Sequence, residues 1–218
     1  MICVSYGNND YSEFLNLLIK YELLELRLDR CAFSVQQICD AVKLKSDIIF
    51  SYSCNELNED RIEFLHSLID AGASFIDAGF NPEKEDWVAL IEYAKSKGCR
   101  VIISYHNFRE TLSFDELLSI LKRSCSYKPD FVKIACMANS EEDCANILSL
   151  YKETKILLTG KAKLVAISMG EMGKINRIAP LFLGAPFTYC SYSKGAETAE
   201  GQFDINTMQK IINLIKNG

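Results

Sequence analysis

Clusters of basic residues are absent from this chain, although it contains 24 lysines and arginines. The 29 acidic residues bring the formal net charge to −5. Because a nucleic-acid surface needs a basic patch, we expect no nucleic-acid partner. No apolar run approaches the length that spans a bilayer, so the sequence also argues against membrane association.

Cysteine pairs at CxxC spacing are missing as well. The nine cysteines are scattered, their number is odd, and several lie inside apolar, strand-like runs. These features favour reduced, buried thiols over disulfides or a zinc site. The N-terminus has no basic region followed by a long apolar stretch, so no signal peptide is expected. We therefore expect a cytoplasmic protein without a metal site.

What the chain does contain is an alternation of short apolar runs with longer stretches of helical spacing. Eight such units follow one another without a long linker, which predicts a parallel α/β fold. Eight units close a (β/α)8 TIM barrel, so we expect residues 1–218 to form one barrel domain. An open doubly wound sheet is the main alternative, but no glycine-rich phosphate-binding motif follows the first run. The predicted strands are 2–6, 22–29, 47–53, 73–80, 100–106, 130–136, 163–169 and 186–192.

Several helix boundaries carry their own signals. Ser34, Ser113 and Ser140 each precede a helical stretch, and Ser113 is followed three residues later by a glutamate, as in a capping box. Gly72 and Gly98 come just after two helical stretches, where a left-handed residue is expected. These signals predict where three of the helices begin and where two others end.

The second apolar run, ELLELRLD (22–29), alternates between leucine and charged residues. In a barrel strand, alternate residues face the lumen and the rest face the helices. Because helices cover the outside of every strand, Glu25, Arg27 and Asp29 must point inward. Three ionisable groups in a lumen that is usually apolar indicate a site. A solvated edge strand or a self-satisfied Glu–Arg–Asp ion network would give the same pattern.

Only two histidines are present, and one of them lies at the end of a predicted strand. The run RVIISYH (100–106) places His106 at its carboxyl end, on the inward face, where barrel active sites gather. His66 lies in IEFLHSLID, whose spacing is helical, and is expected to be structural or exposed. A histidine at a strand end is often only hydrogen-bonded structure, but His106 precedes a strand that carries a lysine.

That lysine, Lys133, stands at the centre of DFVKIAC (130–136), a run that otherwise predicts a strand buried on both faces. A buried ammonium group must be paired or lose its proton. An uncharged amine next to His106 would form a Schiff base with a ketone or aldehyde, and we expect this state. The alternative is a structural lysine paired with Glu25 or Asp29.

Two segments near the C-terminus complete the candidate site. SMGEMGKINR (168–177) follows the seventh strand, and its Arg177 has the geometry to bind a carboxylate or phosphate with two hydrogen bonds. KGAETAEGQF (194–203) follows the eighth strand and is expected to close over the barrel mouth. A surface arginine and an ordinary surface loop are the alternatives.

Together, five segments resemble type I 3-dehydroquinate dehydratase, a Schiff-base enzyme family of the shikimate pathway. The segments are ELRLD (25–29), SYHNF (104–108), VKIA (132–135), SMGEMGKINR (168–177) and EGQF (200–203). They occur in the family's order, at compatible spacing, over essentially the whole chain. VKIA alone is a weak signal, whereas the set of five is specific.

The resemblance implies a role for each candidate residue. Lys133 would form the imine with 3-dehydroquinate, His106 would be the general acid and base, and Arg177 would bind the substrate carboxylate. No metal or organic cofactor is implied, and the assembly would be a homodimer. The remaining substrate-binding residues would be Ser5, Glu25, Arg27, Thr198 and Gln202, with Tyr189 lining the pocket where the family usually has phenylalanine.

The chain also departs from the family pattern. Ser53 stands where the third strand usually has an arginine, and Glu56 is the candidate replacement for a glutamate that orients the histidine. Gly79 stands where the fourth strand usually has a glutamate. The closing loop reads TAEGQ (198–202) instead of the usual SAPGQ. These departures bear on substrate affinity and on the orientation of His106.

Two other functions fit the same residues. A class I aldolase-like barrel would also use a lysine on the sixth strand, but it would act on phosphorylated sugars. A divergent, non-catalytic ligand-binding barrel is the second alternative, since the third strand is altered. The retention of both Lys133 and His106 argues against it.

Overall fold

The structure is a computed structural model that describes residues 1–44, 47–52, 58–157 and 162–218, without the side chains of residues 154–157. In these residues, eight parallel strands alternate with helices and form a nearly closed (β/α)8 barrel. The strands lie in the order β7-β6-β5-β4-β3-β2-β1-β8. The strands are β1 Ile2–Tyr6, β2 Leu23–Arg27, β3 Ile48–Ser51, β4 Phe75–Asp77, β5 Arg100–Asn107, β6 Phe131–Met137, β7 Lys163–Met169 and β8 Thr188–Ser191. The predicted fold class is confirmed.

The helices surround the strands. They are α1 Tyr11–Lys20, α2 Val35–Leu44, α3 Glu59–Asp70, α4 Glu85–Ser96, α5 Phe114–Ser126, α6 Glu141–Leu157, α7 Ala179–Leu183 and α8 Ile205–Asn217, with a 3-10 helix at Met172–Arg177 between β7 and α7. Within the described ranges, no helix is both long and apolar enough to cross a membrane. The eight cysteines among the described residues are unpaired.

The alternation of side chains on each strand separates two apolar regions. Outward residues such as Val4, Leu24 and Leu26 are fully buried against the helices. Inward residues of the lower barrel form a separate cluster, in which Phe131 packs between Phe75 and Phe187 with ring centroids 5.9 and 5.5 Å apart. This aromatic plug fills the lower lumen and gives the site above it an apolar floor.

The predicted helix signals are present in the structure. The Ser113 side chain accepts from the Glu116 backbone, while the Glu116 side chain accepts in return, which completes a capping box. The Ser140 hydroxyl accepts a hydrogen bond from the backbone of Asp143 at 3.1 Å. Gly72 and Gly98 follow α3 and α4 with φ values of 98° and 75°. Both glycines therefore adopt the left-handed conformation that ends a helix.

Some predicted strands are too long. The third predicted strand ends at Ser51 instead of residue 53, and the fourth covers only Phe75–Asp77. The eighth covers Thr188–Ser191. In the fourth run the apolar pattern continues past the strand because Ala73 and Ala78, on either side of it, are also buried in the core. Burial, not strand pairing, determines where such a pattern ends.

Replacing Ser113 with alanine should lower the free energy of unfolding by about 1 kcal/mol, because the N-terminal amides of α5 would lose their acceptor. Urea unfolding followed by circular dichroism measures this change. Ser119→Ala, at an exposed position within α5, is the matched control and should leave stability nearly unchanged. Equal losses in both variants would contradict a capping role.

Candidate active site

Lys133 is the centre of the candidate site. It projects from the middle of β6 into the lumen, and its side chain is only 8% exposed. Its Nζ lies 3.4 Å from Oε1 of Glu25 on β2 and 3.3 Å from Oδ2 of Asp77 on β4. The ring of Tyr189 on β8 lies 4.6 Å from the same nitrogen. Three other strands thus contribute one contact each to the lysine.

Asp77 is a site residue that the sequence analysis missed. It is fully buried, and its Oδ1 accepts hydrogen bonds from the Ser104 hydroxyl at 2.5 Å and the Gly79 backbone N–H at 3.1 Å. The signal was available, because Asp77 lies two residues after the inward-facing Phe75. Gly79, at the position of the family's usual glutamate, contributes a backbone donor.

The expectation that Lys133 is an uncharged amine in the resting site is wrong. Burial lowers the pKa of Lys133 and so does Arg27, but Glu25 and Asp77 raise it, and the net pKa lies above the ordinary lysine value. Lys133 is therefore an ammonium ion paired with two carboxylates. The sequence analysis offered a lysine paired with Glu25 or Asp29 as the alternative. The resting state is such a paired lysine, but its partners are Glu25 and Asp77.

His106 lies at the carboxyl end of β5 and lines the same cavity as Lys133. Its ring is parallel to that of Phe108, with centroids 5.8 Å apart. Burial, together with the charges of Lys133 and Arg27, holds the pKa of His106 well below its usual value. The imidazole is therefore neutral at neutral pH and able to accept a proton. His66, as expected, lies outside the site, in α3, where its ring packs against Tyr93.

Arg27 is held in place by Asp29 and by the loop after β8. Its Nε and Nη2 donate to the two carboxylate oxygens of Asp29 at 2.9 and 2.7 Å. Its Nη1 donates to the backbone oxygen of Thr198 at 3.0 Å. The predicted Glu–Arg–Asp network is thus divided, because Arg27 pairs with Asp29 while Glu25 turns to Lys133.

Ser5, Thr198 and Gln202 form a hydrogen-bonded group that joins the loop to the barrel. The Ser5 hydroxyl donates to Oε2 of Glu25 at 2.5 Å and lies 2.7 Å from the Thr198 hydroxyl. The Thr198 backbone N–H donates to the Gln202 side chain at 2.8 Å. The predicted closing loop therefore lies over the barrel mouth.

Arg177 is the last residue of the 3-10 helix and is fully buried. Its Nη2 donates to the backbone oxygen of Glu200 at 2.5 Å. In the part of the chain that the structure describes, Nε and Nη1 have no hydrogen-bond partner and no carboxylate pairs with the guanidinium. Burial lowers the pKa of Arg177 to about 10, so the group stays charged at neutral pH. A buried cation with two unused donors is suited to an anionic ligand.

All eight predicted site residues lie around one small lumen. Seven of them line one cavity, and Ser5 donates a hydrogen bond to Glu25. The free space in this cavity is about 30 Å³, which is room for about two water molecules. This space is too small for a ring-sized ligand, so the loop has to move before one can bind. Ser53 and Glu56, on which two predicted departures rest, lie outside the described residues.

Comparison with known proteins identifies the family. The family model for type I 3-dehydroquinase matches residues 2–218. A 3-dehydroquinate dehydratase of Methanococcus maripaludis is 31% identical over 99% of this chain and 100% of that protein. One from Methanocaldococcus jannaschii is 35% identical over 72% of this chain and 68% of its own length.

Solved structures agree with this result. The 3-dehydroquinate dehydratase of Aquifex aeolicus matches with a TM-score of 0.81 and 25% identity, and the match covers all of both chains. The enzyme of Geobacillus kaustophilus matches with a TM-score of 0.85 at 20% identity, over 99% of this chain and 90% of that one. The second likeness supports the fold alone. By its sequence, its barrel and the residues in its lumen, the chain belongs to the type I 3-dehydroquinase family.

Proposed function

We propose that this protein is a 3-dehydroquinate dehydratase that converts 3-dehydroquinate to 3-dehydroshikimate and water through an imine on Lys133. The observation that carries the proposal is the convergence of Lys133, a neutral His106 and the partly unpaired Arg177 on one small cavity. The choice of substrate follows from the family. The lumen contains the amine of Lys133, the imidazole of His106 as a proton carrier and the guanidinium of Arg177 as a cation for the substrate carboxylate.

The imine makes the dehydration possible at neutral pH. Lys133 first passes a proton to His106, and its amine adds to the C3 ketone of the substrate to give a carbinolamine. The former ketone oxygen takes that proton back from His106 and leaves as water, so that a protonated imine remains on Nζ. This iminium withdraws electrons from the adjacent carbon and acidifies its C–H bond, so that an imidazole is a sufficient base.

His106 would then carry the protons of the reaction. As a neutral imidazole it takes the proton from C2, and the electron pair of that bond expels the C1 hydroxyl. The imidazolium returns its proton to the departing hydroxyl, which leaves as water. Hydrolysis of the imine by a water molecule releases the product and regenerates Lys133. Every atom of the reaction is supplied by the substrate, water and these two side chains.

The other site residues would bind the substrate. Arg177 would receive the carboxylate, because its Nε and Nη1 have no partner within the described part of the protein. Gln202 and Thr198 would support the carboxylate from the closing loop, and Glu25 and Arg27 would hold the ring hydroxyls. Ser5 would position Glu25 through the hydrogen bond between them.

The loop between β8 and α8 must open to admit the substrate. It docks on the turn after β7, where the Gly170 backbone N–H donates to the Glu200 oxygen at 3.3 Å. Gly201 has a φ of +74°, and a Cβ at this position would lie 2.2 Å from the Gly170 oxygen. Only glycine permits this close approach. Arg177 also holds the loop, through Glu200, so the loop and the substrate would meet at the same guanidinium.

We also propose a single-domain homodimer in the cytoplasm, with no nucleic-acid partner. The resemblance supports the dimer, and the net charge of −5 disfavours a nucleic-acid surface. The imine chemistry needs no metal or organic cofactor. Of the two alternatives, an aldolase-like enzyme would place a phosphate at Arg177, which a carboxylate also fits, and a binding barrel would not need the Lys133–His106 arrangement.

Reduction with borohydride in the presence of 3-dehydroquinate should attach one substrate-derived group to Lys133, since borohydride fixes an imine as a stable amine. Mass spectrometry of the digested protein locates the adduct. Lys133→Ala should lose both the adduct and the formation of the ultraviolet-absorbing enone. His106→Ala should slow enone formation by about 100-fold or more. Absence of an adduct in the wild-type protein would refute the imine, whereas an adduct without enone would leave a binding protein.

Replacing Arg177 with glutamine should reduce kcat/KM by about 10- to 100-fold, because charged hydrogen bonds to the carboxylate would be lost. The initial rate of enone formation at a series of substrate concentrations gives this value. Arg123→Gln removes an exposed arginine on α5 and is the matched control. If both variants keep wild-type kinetics, Arg177 does not bind the substrate.

Replacing Gly201 with alanine should prevent the loop from docking, since the new methyl group would overlap the Gly170 oxygen. We expect a reduced kcat/KM together with faster proteolysis within residues 194–203, measured by limited digestion with and without substrate. Gly195→Ala is the control: this glycine also has a positive φ, but no atom lies within 4 Å of its Cβ position. Full activity of Gly201→Ala would exclude a role for the closed loop.

A further inference from the structure

Lys133 contacts two carboxylates that differ in their own partners. Glu25 is joined through Ser5 to Thr198, so one end of its hydrogen-bond chain belongs to a loop that must open. Opening the loop removes Thr198 from this chain. Glu25 is also the carboxylate to which the resemblance assigns a substrate hydroxyl. Its interaction with Lys133 therefore changes during the reaction cycle.

Asp77 has no such connection to the loop. Its Oδ1 is fixed by Ser104 at 2.5 Å and by the backbone of Gly79 at 3.1 Å, and neither residue belongs to the loop after β8. This leaves Oδ2 directed at Lys133, at 3.3 Å. Ser104 lies opposite Lys133 in the register of β5 and β6. The strand ladder itself thus holds the carboxylate against the amine.

We infer that Asp77 is the permanent counter-ion of Lys133, which neutralises the ammonium ion in the resting site and then the iminium formed with substrate. This inference rests on the proposed function for its second half only. The iminium nitrogen is the same atom as the lysine Nζ and keeps one hydrogen, so Oδ2 is placed to accept it. An iminium that lost this proton would no longer withdraw electrons from the substrate.

The surroundings of Lys133 explain why one more carboxylate matters. The titratable groups that face its site are Cys3 on β1, Glu25 and Arg27 on β2, Asp77 on β4, His106 on β5 and Tyr189 on β8. Among these groups, Arg27 and a protonated His106 oppose positive charge on Nζ. When substrate hydroxyls engage Glu25, Asp77 is the carboxylate that remains dedicated to the lysine.

Asp77→Asn tests the inference without disturbing the two structural hydrogen bonds. The amide oxygen still accepts from Ser104 and Gly79, while the negative charge next to Nζ is lost. Only the uncharged amine reacts, so the pH at which methylation of Lys133 reaches half its maximal rate, the midpoint, reports its titration. Removing an opposite charge at this distance should lower this midpoint by about one to three pH units. Reductive methylation with formaldehyde and cyanoborohydride, quantified at Lys133 by mass spectrometry across pH, gives this midpoint. Exposed Lys210 serves as the internal standard.

The same variant should lower kcat for 3-dehydroquinate by about 100-fold or more, since the charged intermediate loses its counter-ion. Ser104→Ala is the control, because it removes one hydrogen bond to Asp77 but keeps the carboxylate, and its midpoint should shift by much less than that of Asp77→Asn. An unchanged midpoint in Asp77→Asn would overturn the inference. Equal shifts in both variants would also overturn it, because the shift would then come from a displaced side chain and not from the lost charge.

A wild-type measurement keeps the inference testable if Asp77→Asn does not fold. The midpoint for Lys133 should lie above the value of about 10.4 for free lysine, and a midpoint at or below that value would overturn the inference. The methylation assay uses no substrate. It is therefore independent of the borohydride experiment, in which an absent adduct would refute the proposed function and leave the resting ion pair untouched.

Discussion

The ion cluster formed by Lys133, Glu25 and Asp77 is the interaction on which the site depends. An ammonium ion in a lumen floored by phenylalanines would be costly unless it were paired, and either carboxylate alone would be equally costly without the lysine. Each charge therefore requires the others. The cluster connects β2, β4 and β6, so it also fixes the relative positions of strands that are not neighbours in the sheet. The buried ammonium group of Lys133 is therefore held between Glu25 and Asp77.

The layers of the barrel explain how these charges come together. The even-numbered strands place a large apolar residue low in the lumen and a site residue two positions later, and these site residues are Glu25, Asp77, Lys133 and Tyr189. On the odd-numbered strands, Ser5 and Ser104 supply hydroxyl groups to the two carboxylates. A layer built from alternate strands is the usual way in which a (β/α)8 lumen is filled. Here that layer is polar, and it lies directly on the apolar plug.

The sequence predicts much of this arrangement, because a barrel strand has only two faces. Alternation in ELLELRLD and RVIISYH is sufficient to place Glu25, Arg27 and His106 in the lumen, and the structure agrees. The partners of Lys133 were harder to predict, since the choice between Asp29 and Asp77 depends on the register between strands. The charge of the lysine was predicted wrongly for the same reason. Asp77, which was not counted, adds to the attraction of Glu25 and opposes the desolvation that lowers the pKa of Lys133.

The hydrogen bond between Ser5 and Thr198 has a consequence for the order in which the protein becomes functional. It joins the first strand to the loop after the last one, 193 residues later in the chain. Arg27 makes a second connection to the same loop, across 171 residues. A ribosome delivers the N-terminal strands first, so Lys133, Glu25 and Asp77 are synthesised before the loop that covers them. Substrate binding therefore has to wait for the C-terminal segment, and a chain that stopped short of residue 198 would lack the loop that covers the mouth of the barrel.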